Sequence, residues 1–583
     1  MNEITKETRE ELEITTDEWK LYEKGKNYNE KRGLYADTDR NFRFYNEDQW
    51  DGLKSGSIAP VTYNVIKPIV KYKVGNLLTN LLVINYSAEN WEDEVFQREA
   101  EKVCNKLNKH VARLWEKDYM DYKLRRIVKQ SCINSEGVVY VNNDKNNEPQ
   151  IEIISKNNIY YGDENQVDIQ KQPYILIAKR MPIEKVIELA KENKLSDEEI
   201  KNITPDNLTS TEAGDNAKEE VDNKVLVITK LTKKHDKVYT KVSAKHVVIK
   251  KEYDSGLTLY PVAHMIWEEL EGSARGMGEV KYLIPNQIEI NRNLMRRLIS
   301  SKYFSYPQRV VNIEKIVNPK SIDKIGQTIK IRDMLVDDVK KYIGFLQPAP
   351  MSNDADLIGN ELITNTRELA GAGDIATGDV NPEQASGRAI LALQNVAQQT
   401  LNEQLMHIKM FVEDLGRIYI DQWKTYNKTD GMTILEEVEV EVPGENGETK
   451  TEKQKKPCKI NGTVLEKLKT NVKVDVTPKS AYDKLAYEMS LENLLSNKLI
   501  TFEEYVKLLP WDSAMPKAKL EELLEHREEE QAKIQQIEKQ AIQMQNEMNG
   551  YIQENENINN IDMEGQQLID KIGNLGNQGT ATM

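Results

Sequence analysis

The residue types that most often do chemistry are few and scattered in this sequence. Histidine occurs six times, at His110, His235, His246, His264, His407 and His526, and none stands at ligand spacing from a cysteine or carboxylate. The cysteines are Cys104, Cys132 and Cys458, odd in number and far apart. They suggest no disulfide framework, which fits synthesis in a reducing compartment, and Cys104 and Cys132 fall in apolar helical stretches that predict buried thiols. Asp37 and Asp39 resemble the opening of a cation loop but lack its later acids and its glycine. There is no GxSxG elbow and no HExxH pair, and the GMG of SARGMGE is too little for a dinucleotide fingerprint. No catalytic residue, metal or cofactor is expected.

Two stretches remain with charge and spacing worth weighing. The first, AGDIATGDVNPEQASG, sets Gly371, Gly373, Gly378 and Gly387 around Asp374, Asp379, Asn381 and Glu383, with Arg388 just beyond. A glycine loop before a helix can cradle phosphate on free N–H groups, but the phosphate-loop pattern ends in Gly-Lys-Ser/Thr. Here the ending is SGRAI, and three acids face one arginine. A flexible acidic loop is expected instead, with an ordinary surface loop as the alternative. The second stretch carries Arg292, Arg296, Arg297 and Lys302, with positions 292 and 296 on one helical face. Such a cluster can face DNA or a neighbouring subunit's carboxylates. It can equally be solvated or paired with the protein's own acids.

The elements around these stretches follow from periodicity. GEVKYLIPNQIEINRNLMRRLISSKYFS reads as a helix with Val280, Leu283, Ile284, Ile288, Met295, Leu298 and Ile299 on its apolar side, and Pro285 near its start. An insert of short β-branched runs follows, broken at prolines and glycines. It is too small to hold an extensive core alone, so strand addition between copies is a natural completion. DADLIGNELITNTRELAG returns to helix. After the glycine loop, RAILALQNVAQQTLNEQLMHIKMFVEDLGRIYIDQWKTY predicts one unbroken helix of about 38 residues, ~57 Å long.

The flanks read as mixed α and β. Residues 61–80 and 91–132 predict helices; GVVYVNN, IEIISKNNIYY and YILIAKRM predict strands. In MPIEKVIELAKENKLSDEEIKNI, Ser196 and Glu199 make a capping box for the second half. Residues 204–222 read as an exposed loop, and the alternation from Val225 to Asp254 predicts an antiparallel meander with one solvated face. NFRFYNEDQW reads as a core or docking cluster. TILEEVEVEVPGENGETKTEKQ predicts a hairpin turning at Pro443 to Gly447, VKVDVTP a further strand, and TFEEYVKLLP a helix capped by Thr501 and Glu504. Ile534, Ile537, Ala541, Met544 and Met548 fall near heptad spacing, and the end, GNLGNQGTATM, reads as disordered.

Bulk properties agree with a large helix-rich α+β protein. The 583 residues allow two or more domains, with 39% hydrophobic and 30% charged residues and a net charge of −15 from 80 basic and 95 acidic side chains. Mean hydropathy is −0.65. There is no apolar run of eighteen residues, and MNEITKETREELEITTDEWK is too polar for a secretory signal, so no membrane association is expected. An acidic chain suits letting DNA slide past rather than gripping it, and also suits plain solubility.

The order helix, small β insert, helix, glycine loop, long helix, together with RFYNEDQW and YNVIKPIVKYKVGNLL upstream, resembles the portal proteins of tailed bacteriophages over residues 40 to 510. The resemblance implies an α+β, portal-like fold with long central helices (stem and spine), a small β-rich clip, an α+β wing and a C-terminal helical crown. It divides the chain into an arm and wing (1–277), a first stem helix (278–304), a clip (305–353), a second stem helix (354–370), a tunnel loop (371–388), a spine helix with wing hairpin (389–478), a crown (479–560) and a disordered tail (561–583). The function it implies is a ring of twelve copies at a capsid vertex of the virion, assembled in the host cytoplasm. Double-stranded DNA would be packaged and ejected through the ring. The implied partners are the terminase large subunit, head-completion or tail connector proteins, and the major capsid and scaffold proteins. Another phage structural subunit, or a terminase or nuclease component, is the alternative reading.

Overall fold

The computed structural model describes residues 15–50, 59–79, 81–89, 94–144, 147–205, 223–305, 308–322, 324, 326–332, 343–346, 354–373, 399–429, 431–443, 449–477 and 490–509. The fold is α+β, as expected, and the chain divides into two compact units, Met1–Thr477 and Pro478–Met583.

The first unit begins with α1 (Asp17–Lys31) and α2 (Leu34–Tyr45), joined through Gly33 at φ 72°. Helix α3 (Ile66–Leu77) buries Ile66, Ile69, Val70, Val74 and Leu77 at helical spacing. After β1 (Leu81–Ala88) come α4 (Glu94–Lys117) and α5 (Met120–Asn134). The single helix expected over 91–132 is therefore broken, at Tyr119, which stands at φ 50° and ψ 45°. The apolar period continues across the break, which is why the sequence hides it. Both halves still present an inward face, Leu107 and Val111 on α4 and Leu124, Ile127 and Val128 on α5.

Strands β2 (Glu136–Asn143), β3 (Pro149–Ile154) and β9 (Val262–Ile266) form an antiparallel sheet with β2 central. A second antiparallel sheet runs in chain order through β4 (Ile159–Tyr161), β5 (Tyr174–Pro182), β6 (Lys224–Lys234), β7 (Lys237–Ser243) and β8 (Val248–Asp254). The meander is as expected; its solvated face is not. Val225 and Val227 pack beneath Val186 and Ala190 of α6 (Ile183–Glu192), while Leu226 and Ile228 meet Trp19 and Tyr22 of α1 on the other side. The apolar run VLVI feeds both faces because strand side chains alternate. Helix α7 (Asp197–Lys201) begins with the predicted Ser196–Glu199 capping box.

Helix α8 (Glu279–Ser305) and helix α9 (Asp354–Leu369) bracket a small antiparallel pair, β10 (Gln308–Val311) and β11 (Ile343–Leu346). Helix α10 (Asn402–Tyr426) then crosses the core, burying Ile408, Phe411, Val412, Leu415 and Trp423. The helix expected to run unbroken through this region instead starts at Asn402, after a turn at Thr400 and Leu401, and residues 389–398 lie outside the described residues. Leu401 is buried, so the turn still places an apolar side chain inward. Around Trp423 stand Tyr86, His110 and Tyr419, with ring centroids 6.1, 5.5 and 5.9 Å away.

The unit closes on itself through β14 (Thr470–Thr477), which pairs antiparallel with β1 from Leu81↔Thr477 to Ala88↔Thr470. Helix α10 lies directly on that pair at Gly416, where a Cβ would stand 2.7 Å from Val472 Cγ1 and 3.0 Å from Ile84 Cγ2. The predicted hairpin forms from β12 (Met432–Pro443) and β13 (Thr449–Ile460), with Pro443 opposite Thr449, and α11 (Gly462–Lys467) follows.

In the second unit, α12 (Phe502–Leu508) carries the predicted Thr501–Glu504 capping box, and Leu491, Tyr505, Val506 and Leu509 form a small core. The heptad-spaced residues from Ile534 to Met548 and the tail lie outside the described residues.

Candidate functional site

Helix α8 changes character along its length. Its first half is built into the body of the first unit. Val280, Leu283, Ile284 and Ile290 are buried, and so are Gln287 and Asn291 on the same side. A buried amide needs partners. Gln287 Oε1 accepts from Val65 N at 2.9 Å, and its Nε2 donates to Tyr63 O at 2.7 Å. Asn291 Oδ1 accepts from Tyr63 N at 3.1 Å, and its Nδ2 donates to Gln49 Oε1 at 2.6 Å. One turn of helix thus fixes the extended segment before α3 and the end of NFRFYNEDQW. Pro285 sits at the seventh helical position, beyond the first turn where it was expected. It leaves the Lys281 carbonyl without its i+4 amide donor, yet the helix continues to Ser305.

The approach to α8 explains the GMG sequence. A Cβ on Gly276 would stand 2.3 Å from Ile266 Cγ2 and 2.6 Å from Glu268 O; one on Gly278 would stand 2.6 Å from Ser135 N. These glycines let backbones touch; they are not a nucleotide fingerprint. Between them and α5 lies a buried ionic node. Arg275 Nη1 donates to Glu136 Oε1 at 2.9 Å and to Lys156 O at 3.1 Å, Nη2 donates to Ile159 O at 2.8 Å, and Nε donates to Glu164 Oε2 at 3.2 Å. The guanidinium also lies 4.6 Å from the Tyr161 ring centroid. His264 Nε2 meets the second Glu136 oxygen at 2.7 Å. Burial opposes ionisation of Glu136, but the Arg275 charge and the His264 contact outweigh it and hold its carboxyl at about 2. His407 Nε2 likewise lies 3.5 Å from Glu269 Oε1. The sequence shows neither pairing, because 128 residues separate His264 from Glu136 and local spacing carries no trace of that contact. Among the described residues no group of three or more His, Cys, Asp or Glu side chains could hold a metal ion.

The second half of α8 leaves the body. Leu298 is exposed, and so is every residue from Ser301 to Ser305. The apolar side predicted at Met295, Leu298 and Ile299 is thus only partly covered. Helix α9 returns along α8: Gly359 faces Asn293, where a Cβ would stand 3.1 Å from Nδ2, and further along Ile363 and Arg367 reach a hollow shared with Tyr63. The β10–β11 pair stands beyond the two helices and is bare. Phe345 is 61% exposed, Ile313 73% and Val310 54%.

The four predicted cations are not equivalent. Arg292 Nη1 is held by Glu289 on its own helix at 2.6 Å, the self-paired outcome. Arg297 and Lys302 are also engaged within the chain. Arg296 is exposed on the face it shares with Arg292. Arg292 also lines a cleft of about 530 Å³ with Arg40, Arg43, Phe44 and Trp50. Arg40 lies over the Phe44 ring at 5.7 Å, and Arg43 Nε pairs with Asp48 Oδ2 at 2.8 Å. Sequence spacing does not single out these two arginines, because they stand among aromatic residues that read as a core or docking cluster.

Of the glycine loop, Gly371 and Gly373 are described; Asp374, Gly378, Asp379, Asn381, Glu383, Gly387 and Arg388 lie outside the described residues. Gly371, at φ 66°, ends α9 in a Schellman motif, with Gly371 N donating to Glu368 O and Ala372 N to Arg367 O at 2.9 and 2.8 Å. Ala370 and Ala372 are buried on either side, so the start of the loop is anchored. Cys104 and Cys132 are buried thiols, as predicted, and burial pushes both upward, Cys104 to about 11. Among the described residues no helix is long and apolar enough to cross a membrane.

A family model described as phage P22-like portal protein matches residues 26–568, nearly the whole chain, and bears out the resemblance read from the sequence. No curated protein is matched.

Proposed function

Because this chain belongs to the P22-like phage portal protein family, we propose that twelve copies close into a ring at one capsid vertex and that double-stranded DNA passes along the ring axis during packaging and ejection. Helices α8 and α9 are the stem. Residues 305–353 are the clip, which meets the terminase large subunit during packaging and head-completion or tail connector proteins afterwards. The loop at 371–388 borders the bore, where Asp374, Asp379 and Glu383 repel phosphate and keep the duplex mobile. Residues 1–277 form the wing toward major capsid and scaffold proteins, and residues 479–560 the crown. The ring assembles in the host cytoplasm and remains in the virion. ATP hydrolysis belongs to the terminase, and the chain itself serves as channel and docking surface.

The family match carries this reading. The exposure gradient along α8 supports it, since the uncovered apolar side chains at the β10–β11 end are the kind of surface a closed ring buries. Arg296 is the α8 cation we assign to a contact outside the chain. Negative-stain imaging of the purified protein, with its mass determined alongside, tests the proposal. Closed rings with an axial hole wide enough for duplex DNA are expected. Monomers or dimers at high concentration, or assemblies without such a channel, overturn it.

A further inference from the structure

A small polar pocket of about 110 Å³ lies where α1, the α5–β2 junction and the N-terminus of α8 converge. Three features of its wall are unusual. Lys156 is buried, and its ammonium has only neutral oxygens as hydrogen-bond acceptors, Asn134 O at 2.5 Å and Ser135 Oγ at 3.4 Å. One of its three N–H groups is thus left for another acceptor. Asn29 is 2% exposed, and its Nδ2 has no acceptor. Tyr35 is near enough to feel that amide but does not meet it at hydrogen-bonding geometry. Asn134, 5% exposed, has an Oδ1 with no donor.

The acids on the same wall are already claimed. Asp37 accepts from Lys281 Nζ at 2.7 Å, and Glu164 pairs with Arg275 at 3.2 Å. Burial draws the Lys156 ammonium down to about 8, and the nearby Arg275 charge adds to the fall that Glu136 resists. A bound anion would relieve that cost. Gly276 and Gly278 bring backbone to the pocket at the start of a 27-residue helix, whose dipole favours negative charge there.

We infer that this pocket binds one inorganic phosphate ion, held by the Lys156 ammonium and the Asn29 amide, with a phosphate O–H donating to Asn134 Oδ1. The unpaired acceptor at Asn134 selects among oxyanions, because phosphate keeps a proton at neutral pH whereas sulfate and the phosphodiesters of DNA do not. The volume admits the ion and a little water, and leaves no room for a nucleoside. Bound there, phosphate would tie α1 to the base of α8.

Equilibrium dialysis of the full-length protein against labelled phosphate, with sulfate and a short duplex as competitors, tests the inference. The expected result is saturable binding of about one phosphate per chain, poor competition by sulfate and by DNA, and a Tm raised by roughly 2–5 °C at saturation. Lys156→Met should abolish binding, and Asn29→Ala should weaken it about tenfold. If Lys156→Met fails to fold, the wild-type stoichiometry and Asn29→Ala still decide. Absence of saturable binding below about 10 mM, equal competition by sulfate, or binding unchanged in either variant overturns the site.

Discussion

The two halves of helix α8 have similar apolar content and opposite fates. From Glu279 to Asn291 the helix is packed on α2, α3 and α5, with Gln287 and Asn291 satisfied by backbone and side-chain partners more than 220 residues away. From Arg296 onward it is only partly covered, with Ser301 to Ser305 fully exposed, and the small sheet beyond it shows Val310 and Phe345 to solvent. Apolar content does not separate the halves, since Leu298, Tyr303 and Phe304 are as greasy as Leu283 and Ile284. What separates them is whether other described residues of the first unit cover them. The base is complete among the described residues of the first unit; the tip presents apolar surface that those residues leave bare.

The contrast can be broken most forcefully at the base. Glu136→Leu removes the carboxylate between Arg275 and His264 and leaves a buried guanidinium undercompensated. A loss of about 3–5 kcal/mol in urea unfolding is expected, as for removal of one partner of a buried ion pair. A loss under about 1 kcal/mol would mean that Glu164 alone neutralises Arg275 and that the node does not hold the base.

Acid should unfold the body next. Burial lowers His110 from its usual value to about 4. Between roughly pH 6.5 and 4 the unfolded chain therefore binds a proton that the folded chain refuses, so stability falls as pH falls, by on the order of 3 kcal/mol. Glu136, held at about 2, contributes stability above its unfolded value that is lost as pH drops further toward 2. Thermal melts across pH 7 to 4 check the first window, and His110→Phe should flatten it. A variant whose slope matches the wild type would locate the acid sensitivity elsewhere.

A smaller effect is expected from Gln287→Leu. The substitution keeps the shape but strands Val65 N and Tyr63 O, and should cost about 1–3 kcal/mol in chemical denaturation. An unchanged midpoint would show that water replaces the amide and that the base is less closed than its contacts indicate.

The smallest effect on stability, and the largest on assembly, belongs to the tip. Phe345→Ser should leave unfolding of the dissociated chain within about 0.5 kcal/mol of wild type, while the fraction of closed rings in sedimentation falls. Wild-type assembly in that variant would sharpen the comparison by showing that the bare sheet meets a different protein rather than another copy.

Much of this was legible from local pattern. The periods of α8 and of the β6–β8 meander, the capping boxes at Ser196 and Thr501, and the hairpin after Met432 are written in residues a few positions apart. The misreadings share one cause. Tyr119 breaks a helix whose apolar period runs straight through the break, α10 starts only after a turn at Leu401 although the apolar period precedes it, and Val225 to Ile228 lose their solvated face to α1, a helix about 200 residues earlier. Of the candidate site, Arg292 and Arg296 were correctly placed on one face, but the partner of Arg292, the arginines beside it and the polar wall behind α8 were not visible.

By itself the sequence determined the helices, the strands and the order of elements that marks the family, because hydrophobic period, caps and glycine stops act over one or two turns of chain. Only the tertiary structure decided which polar groups are enclosed. Gln287 meets Val65 across 222 residues and Arg275 meets Glu136 across 139. Those contacts exist because the packed core brings distant backbone together and removes water, after which each buried donor or charge must find a partner in the fold. The same amide or arginine on an exposed turn would be satisfied by solvent, and its neighbours in sequence would look no different.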